Sequence, residues 1–245
     1  MRPQVVILAA GSGTRLGRPH PKPLTPLADG RTIMLQQLDN IAAAMPDAQT
    51  YVVVGFKLEM ILEAHPENVF VYNEVFDQTN TSKSLLRALK ATADGGVLWM
   101  NGDVVFDAAV LEAARPMLAA DTSFVVVNDA VVGAEEVKYT LGPDGSIADL
   151  SKTVIDGLGE AIGVNYISSV DKAALIRRLD EVDDQDYFER AMELLIAKDH
   201  VQFAPLVVPE LGAIEVDTQA DLDRANHHLR QTNTRAHPGD WAARA

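Results

Sequence analysis

Apolar residues in the first half of the chain form short unbroken runs, separated by stretches in which apolar positions recur every three or four residues. An unbroken run is typical of a strand buried on both faces, and the wider spacing is typical of an amphipathic helix. The sequence therefore predicts strands at 5–10, 51–54, 69–72, 97–100 and 124–127, and helices near 33–45, 57–64, 82–93 and 107–120. This alternation predicts an α/β fold, with a parallel sheet and helices on both of its faces.

The second half of the chain has a different pattern. Residues 136–141 and 146–150 flank a Gly-Pro-Asp-Gly turn, which predicts a β-hairpin. Further segments predict strands near 162–168, 201–208 and 212–216, and helices near 171–181, 186–199 and from Thr218 to about Arg230. Residues 232–245 are polar without periodicity, so we expect one domain over 1–231 followed by a flexible tail.

Composition narrows the functional class. The 245 residues carry a net charge of −14, which argues against a nucleic-acid backbone or an anionic membrane as the main partner. The chain has no cysteine, which excludes disulfides and thiolate chemistry. No apolar run approaches the roughly 18 residues of a membrane span, and the amino terminus lacks a signal-peptide pattern. We expect a cytoplasmic protein acting on small molecules; the sequence leaves homo-oligomerisation open.

A glycine-rich turn follows the first predicted strand, at residues 11–17. It is not a Walker loop, because no Gly-Lys-Ser/Thr ends it. Nor is it a dinucleotide fingerprint, which would need glycine where Leu16 stands and a helix directly afterwards. Prolines at 19, 21, 23 and 26 prevent such a helix, and an acidic ribose ligand at the usual distance is missing.

What remains is a proline-stiffened loop that presents Arg15 and Lys22 beside the glycine turn. Glycines allow backbone N–H groups to approach phosphate oxygens closely, and two cations suit the charge of a triphosphate. An ordinary tight turn with solvated basic residues is the alternative interpretation.

Two aspartates follow predicted strands, Asp103 after 97–100 and Asp217 after 212–216. Ligands collect at the carboxyl ends of strands in open α/β sheets, so the two carboxylates are candidates to hold one Mg²⁺. Glu215 shares a strand face with Asp217 and is a weaker candidate. Capping of a helix N-terminus is the alternative role for each aspartate.

Three further groups are candidates for binding the base and the acceptor. Polar residues 78–84 precede a helix and suit base-edge hydrogen bonding, with simple helix capping by Thr81 or Ser82 as the alternative. Lysines near the hairpin could hold an acceptor phosphate or lie on the surface. The aromatic residues of 186–189, beside carboxylates, suit a quaternary ammonium or face the core.

The run 8–16, Leu-Ala-Ala-Gly-Ser-Gly-Thr-Arg-Leu, followed by Pro21-Lys22-Pro23-Leu24, resembles the signature of the sugar-nucleotide pyrophosphorylases and related nucleotidyltransferases. The resemblance implies a three-layer, Rossmann-like domain with a central mostly parallel sheet and a small β-hairpin acceptor portion. It also implies that Arg15 and Lys22 contact the β- and γ-phosphates and that Asp103 and Asp217 bind Mg²⁺. Nucleotide binding is implied for Leu8, Ala9, Ala10, Gly11, Ser12, Gly13, Thr14 and Asn101.

Residues 78–85 resemble the Asn-rich, Ser-Leu-ending segment of the phosphocholine cytidylyltransferase branch, which points to CTP and an alcohol phosphate. The resemblance adds Asn80 and Ser84 to the nucleotide site. It makes Lys152 the best match for a catalytic lysine at the acceptor phosphate. The remaining acceptor candidates are Lys138, Glu160, Tyr187 and Phe188.

We therefore expect Mg²⁺-dependent transfer of a nucleoside monophosphate, with CTP favoured, to an acceptor such as phosphocholine, releasing pyrophosphate. A sugar-1-phosphate uridylyl- or guanylyltransferase and a phosphonate or polyol-phosphate cytidylyltransferase are alternatives within the same chemistry. A nucleotide-binding domain without catalysis and a dinucleotide-dependent oxidoreductase are the alternatives from other classes.

Overall fold

The computed structural model describes residues 2–13, 15–129, 136–208 and 212–236. The strands are β1 (Gln4–Ala9), β2 (Gln49–Val54), β3 (Val69–Tyr72), β4 (Val97–Asn101), β5 (Val104–Phe106), β6 (Phe124–Asn128), β7 (Lys138–Leu141), β8 (Ile147–Ser151), β9 (Gly159–Ile167), β10 (Ala204–Val207) and β11 (Ala213–Glu215). The helices are α1 (Ile33–Ala44), α2 (Leu58–Ala64), α3 (Thr81–Ala91), α4 (Ala108–Ala119), α5 (Lys172–Glu181), α6 (Phe188–Asp199) and α7 (Gln219–Ala236).

The main sheet has the strand order β10-β6-β9-β4-β1-β2-β3. Strand β1 pairs in parallel with β2 and β4, β2 with β3, and β10 with β6. Strand β9 is antiparallel to both β4 and β6, and it also pairs with β7 of the β7–β8 hairpin. The predicted mostly parallel sheet with an attached hairpin is confirmed.

The central strands β1, β4 and β6 are almost entirely apolar because both faces of the sheet are covered there. Alternate residues of β1 enter different cores: Val6 packs with α3, α5 and α6, whereas Val5 and Ile7 pack with α1 and α4. All three of these valine and isoleucine side chains are fully buried. The result is the predicted three-layer arrangement of helices, sheet and helices.

Elements α1 to α4 begin and end within two residues of their predicted bounds. Strand β5 was not predicted, because three residues are too few to give a recognisable pattern. Helix α7 continues to Ala236, past the predicted end near Arg230, so the first residues of the predicted tail are helical. Residues 237–245 lie outside the described residues, and the division at residue 231 stays a prediction. Of the described helices, none combines the length and apolar character that a membrane crossing requires.

Candidate functional site

A cleft of about 740 Å³ lies at the carboxyl ends of β1 and β4, beside the hairpin and the start of α6. Most residues predicted to bind nucleotide, metal or acceptor line it: Leu8, Ala9, Gly11, Ser12, Gly13, Arg15, Lys22, Asn80, Asn101, Asp103, Lys152, Glu160, Tyr187, Phe188 and Asp217. The topology thus brings together residues that are up to 209 positions apart, from Leu8 to Asp217.

Three candidates do not line the cleft. Ala10 is buried, and its carbonyl accepts a hydrogen bond from the Phe56 backbone. Ser84 is also buried and accepts a hydrogen bond from the Asn73 side chain at 3.0 Å. The Lys138 ammonium donates to the carbonyl of Lys152 at 2.8 Å. The structure therefore gives these side chains structural partners, and Thr14 lies outside the described residues.

The glycine turn and Lys22 are packed against each other. Gly13 has φ +59°, a conformation that strongly favours glycine, and a Cβ there would lie 3.1 Å from the Lys22 Cβ. A single 3₁₀ turn at Lys22–Leu24, with the buried Pro23 at its second position, fixes the lysine backbone. A larger residue at position 13 would displace the lysine.

Lys22 is the centre of an ion-pair cluster. Its ammonium lies 2.7 Å from Asp103 Oδ2 and 2.5 Å from Asp217 Oδ1, and Arg15 lies 2.7 Å from Asp217 Oδ2. Burial alone would lower the pKa of Lys22, but the two carboxylates outweigh it and hold that pKa above its usual value. The lysine is therefore a permanent cation between two carboxylates.

Pairing of β5 with β11 brings the two aspartates together. The strands are antiparallel with Val104 opposite Glu215, and the Val216 amide donates to the Asp103 carbonyl at 2.9 Å. The turn before β5 also packs tightly on β1, because the Gly102 amide donates to the Leu8 carbonyl. A Cβ on Gly102 would lie 2.7 Å from that oxygen, so glycine is required there.

Buried amides of α1 hold the same turn from the other side. The Gln37 side chain is fully buried, and its Nε2 donates to the carbonyls of Asn101 and Val104, each at 2.8 Å. These carbonyls bracket Gly102 and Asp103. Gln36 and Asn40 donate instead to the carbonyl of Phe106, one strand length away. Gln37 is thus the helix residue that positions the Asp103 turn.

The carboxylates suit a divalent cation. Single oxygens of Asp103, Glu215 and Asp217 all lie within 4.8 Å of one another. Asp103 Oδ1 is buried and has no hydrogen-bond partner among the described residues. Burial, followed by the charges of Asp103 and Asp217, raises the pKa of Glu215 to about 8. An all-oxygen set with surplus negative charge is the environment that Mg²⁺ prefers.

The two aromatic residues at the start of α6 have different environments. Phe188 is buried and packs edge-to-face on Trp99, with 5.8 Å between ring centroids. Tyr187 is 42% exposed, and the Lys152 ammonium lies 4.7 Å from the centroid of its ring. The core interpretation therefore holds for Phe188, which also contributes to the cleft lining, while Tyr187 and Lys152 form a cation–π pair.

The cleft wall beside this pair is acidic. Glu136 Oε2 and Glu189 Oε2 are buried, and neither has a hydrogen-bond partner in the described parts of the chain. Burial raises the pKa of Glu189 to about 7, against the attraction of Lys152. Burial also raises the pKa of Glu160, which accepts a hydrogen bond from Asn128 at 3.3 Å.

Asn80 caps α3. Its side-chain oxygen accepts from the Thr81 amide at 2.8 Å, and its Nδ2 donates to the Gln185 carbonyl at 3.2 Å. The capping role considered for Thr81 or Ser82 thus belongs to Asn80. Asn80 also lines the cleft, and its contact with a nucleotide stays a prediction.

Residues 5–182 match the family described as the MobA-like NTP transferase domain. The chain belongs to this family. Among curated relatives, CMP-5'-(3-aminopropyl)phosphonate synthase from Streptomyces rubellomurinus is 38% identical over 128 residues, covering 48% of this chain and 20% of that protein. The bifunctional protein GlmU from Halorhodospira halophila is 37% identical over 118 residues, covering 48% and 24%. The chain spans about a fifth to a quarter of the length of these relatives.

Solved structures show the same fold for this chain. The CTP:phosphocholine cytidylyltransferase from Streptococcus pneumoniae has a TM-score of 0.74 at 17% identity, covering 94% of this chain and all of that one. The inositol-1-phosphate CTP transferase from T. maritima has a TM-score of 0.75 at 16% identity, covering 96% of each chain. The predicted nucleotidyltransferase fold is confirmed.

Some residues of the cleft and its support escaped the sequence interpretation. Glu189 stands in the acidic, aromatic segment singled out above, but the pattern did not show which of its carboxylates faces the cleft. Glu136 gave no local signal for its place in the cleft, and Gln37 gave none because the carbonyls that it contacts are far away in sequence. Only an assembled sheet shows that Gln37 reaches the Asp103 turn.

Proposed function

We propose that this NTP transferase moves a nucleoside monophosphate from an NTP, with CTP favoured, to a small phosphorylated or phosphonate acceptor such as phosphocholine, releasing pyrophosphate in a Mg²⁺-dependent reaction. The observation that carries the proposal is the ion-pair cluster at the glycine turn. It joins two cations suited to a triphosphate with three carboxylates suited to a metal.

The metal would be held by Asp103 and Asp217, with Glu215 beside them. When bound, Mg²⁺ supplies Lewis-acid charge neutralisation at the reacting phosphoryl group. The unpartnered Asp103 oxygen and the crowding that raises the pKa of Glu215 both support a cation at this position.

In the proposed reaction, an acceptor oxygen forms a bond to the α-phosphorus of the NTP. The bond between the α-phosphorus and the α–β bridging oxygen breaks, and pyrophosphate leaves with the electron pair. A phosphate or phosphonate oxygen is already a nucleophile at neutral pH, so no general base is needed. Arg15 and Lys22 turn from the carboxylates to the triphosphate oxygens and neutralise them in the transition state.

Lys152 is the proposed contact of the acceptor phosphate. It lines the same cleft as the glycine turn, and its ammonium lies over the Tyr187 ring. An ammonium at this place would orient the acceptor for in-line attack on the α-phosphorus.

The preference for CTP and a small acceptor is supported by the relatives. One is named for a CMP-aminopropylphosphonate product, and two structural neighbours are named for CTP-dependent transfer to phosphocholine and inositol 1-phosphate. A sugar-1-phosphate acceptor with UTP is the second candidate, because UDP-glucose pyrophosphorylase shares the fold with a TM-score of 0.74. A merely nucleotide-binding domain would not need three converging carboxylates.

The test is pyrophosphate release with Mg²⁺, using CTP, UTP, GTP and ATP against phosphocholine, 2-aminoethylphosphonate and several sugar 1-phosphates. We expect release with CTP and a small phosphate or phosphonate. Release only with a sugar 1-phosphate would favour the second candidate. Nucleotide binding without release from any pair would contradict the proposed catalysis.

A further inference from the structure

One carboxylate oxygen of Glu189 lacks a hydrogen-bond partner among the described residues. Glu189 lies in the first turn of α6, and its Oε2 is buried without a hydrogen bond from any described residue. The residue nevertheless lines the cleft, so its carboxyl group is within reach of a ligand. A buried carboxylate oxygen without a donor is costly, which implies that a bound group completes it.

The surroundings of Glu189 define the charge of that group. Glu136 and Glu160 line the same cleft, and Glu136 Oε2 is likewise buried without a partner in the described structure. The positive charge of Lys152 lowers the pKa of Glu189, but the Lys152 ammonium lies over the Tyr187 ring. The wall therefore has more negative than positive charge, and it suits a cationic ligand.

We propose that the acceptor carries a primary ammonium group and that Glu189 receives it. This inference rests on the proposed function and names its acceptor class: an amino-alkyl phosphate or phosphonate. A primary ammonium has three N–H donors for the unpartnered oxygen, whereas a quaternary ammonium has none. The Tyr187 face that could bind a quaternary ammonium is already covered by Lys152.

The site also has a defined relation to the reacting end of the cleft. Glu189 lines the same cleft as the three carboxylates of the metal-site cluster. One acceptor in this cleft could therefore place its phosphorus group toward the cluster and its ammonium at Glu189.

The experiment compares acceptors that differ only at nitrogen. With CTP and Mg²⁺, kcat/KM is measured for phosphoethanolamine against phosphocholine, and for 3-aminopropylphosphonate against its N-trimethyl derivative and propylphosphonate. We expect the primary amines to be preferred by at least about 100-fold, because a site built for N–H donors strongly rejects analogues that lack them.

Glu189→Gln is the informative variant, since it keeps the size and removes the charge. We expect its preference for the primary amine to fall about 10-fold or more, mainly through a higher acceptor KM. Glu193→Gln is the matched control, because Glu193 is one turn further along α6 and pairs with Arg190 outside the cleft lining. Its acceptor preference should equal that of the unmodified protein.

Calorimetric binding of the same acceptors, with Mg²⁺ and α,β-methylene-CTP, separates the two proposals. Selective binding of primary amines that Glu189→Gln abolishes, without turnover, would keep this inference and overturn the proposed catalysis. Turnover that favours phosphocholine, or that is indifferent to methylation, would keep the catalysis and overturn the inference. An unchanged preference in Glu189→Gln would also overturn it.

Discussion

The two ends of the cleft treat charge in opposite ways. At the proposed nucleotide end, the Lys22 ammonium forms ion pairs with Asp103 and Asp217 at 2.7 Å or less. At the proposed acceptor end, oxygens of Glu136 and Glu189 are buried without partners among the described residues. At the first end the protein supplies its own cations, and we expect the substrate and the metal to replace these ion pairs. At the second end we expect the ligand itself to carry the positive charge.

The largest effect should come from removing a carboxylate at the nucleotide end. Asp103→Ala should lower kcat by about 10³-fold, because transition-state charge stabilisation of this kind is worth about 10²–10³ or more. The measurement is pyrophosphate release at saturating Mg²⁺, with a thermal melt to show that the fold survives. Near-normal turnover would contradict the metal assignment and the contrast between the two ends.

Removing the counter-ion itself should have the next largest effect. Lys22→Met should lower kcat/KM for the NTP by about 10²-fold, since the triphosphate loses a buried cation. Lys57→Met is the control, because Lys57 also contacts the proline-rich loop, through the Pro19 carbonyl, but does not line the cleft. Equal losses in both variants would mean that Lys22 acts only through the loop structure.

Positioning of Asp103 can be tested from helix α1. Gln37→Leu should lower kcat about 10-fold and raise the Mg²⁺ concentration for half-maximal activity, because the turn that bears Asp103 loses both of its side-chain hydrogen bonds to α1. Gln37→Glu, which keeps the size but lacks the donor, should behave alike.

The matched control is Gln36→Leu. Gln36 is equally buried on α1, but it bonds to the Phe106 carbonyl, where Asn40 provides a second donor. We expect this variant to lose some stability and to keep its Mg²⁺ dependence. A shared shift in Mg²⁺ dependence would mean that α1 packing as a whole, and not Gln37, sets the turn.

The same contrast explains what the sequence could predict. Arg15, Lys22 and the glycine turn lie within a dozen residues, so their chemistry is visible in a local motif. Asp103 and Asp217 could be placed at strand ends, but β5, whose pairing with β11 unites them, was too short to recognise. Gln37 acts through carbonyls of distant residues, and Glu189 lines the cleft only because distant elements assemble around it. Only the assembled structure shows which way those side chains face.

The smallest expected effect concerns stability at the acceptor end. Burial raises the folded-state pKa of Glu189 to about 7, above the usual value of 4.5. The folded state therefore binds the proton more tightly than the unfolded state, so stability from this group is fully present below about pH 4.5 and is lost as pH rises through about 7. The groups that act on Glu189 are Lys152, Glu193 and Glu215.

Glu189→Gln removes this titration, so the variant should be more stable than the unmodified protein at pH 8. We expect this gain in the free energy of unfolding to exceed the gain at pH 5 by on the order of 1 kcal/mol. Urea denaturation of both proteins at the two pH values measures the difference. A bound amino-alkyl phosphonate should cancel the gain, because its ammonium stabilises the ionised carboxylate in the unmodified protein. An equal gain in stability at both pH values would show that the pKa of Glu189 is not raised in the folded protein. The contrast between the two ends would then rest on Glu136 alone.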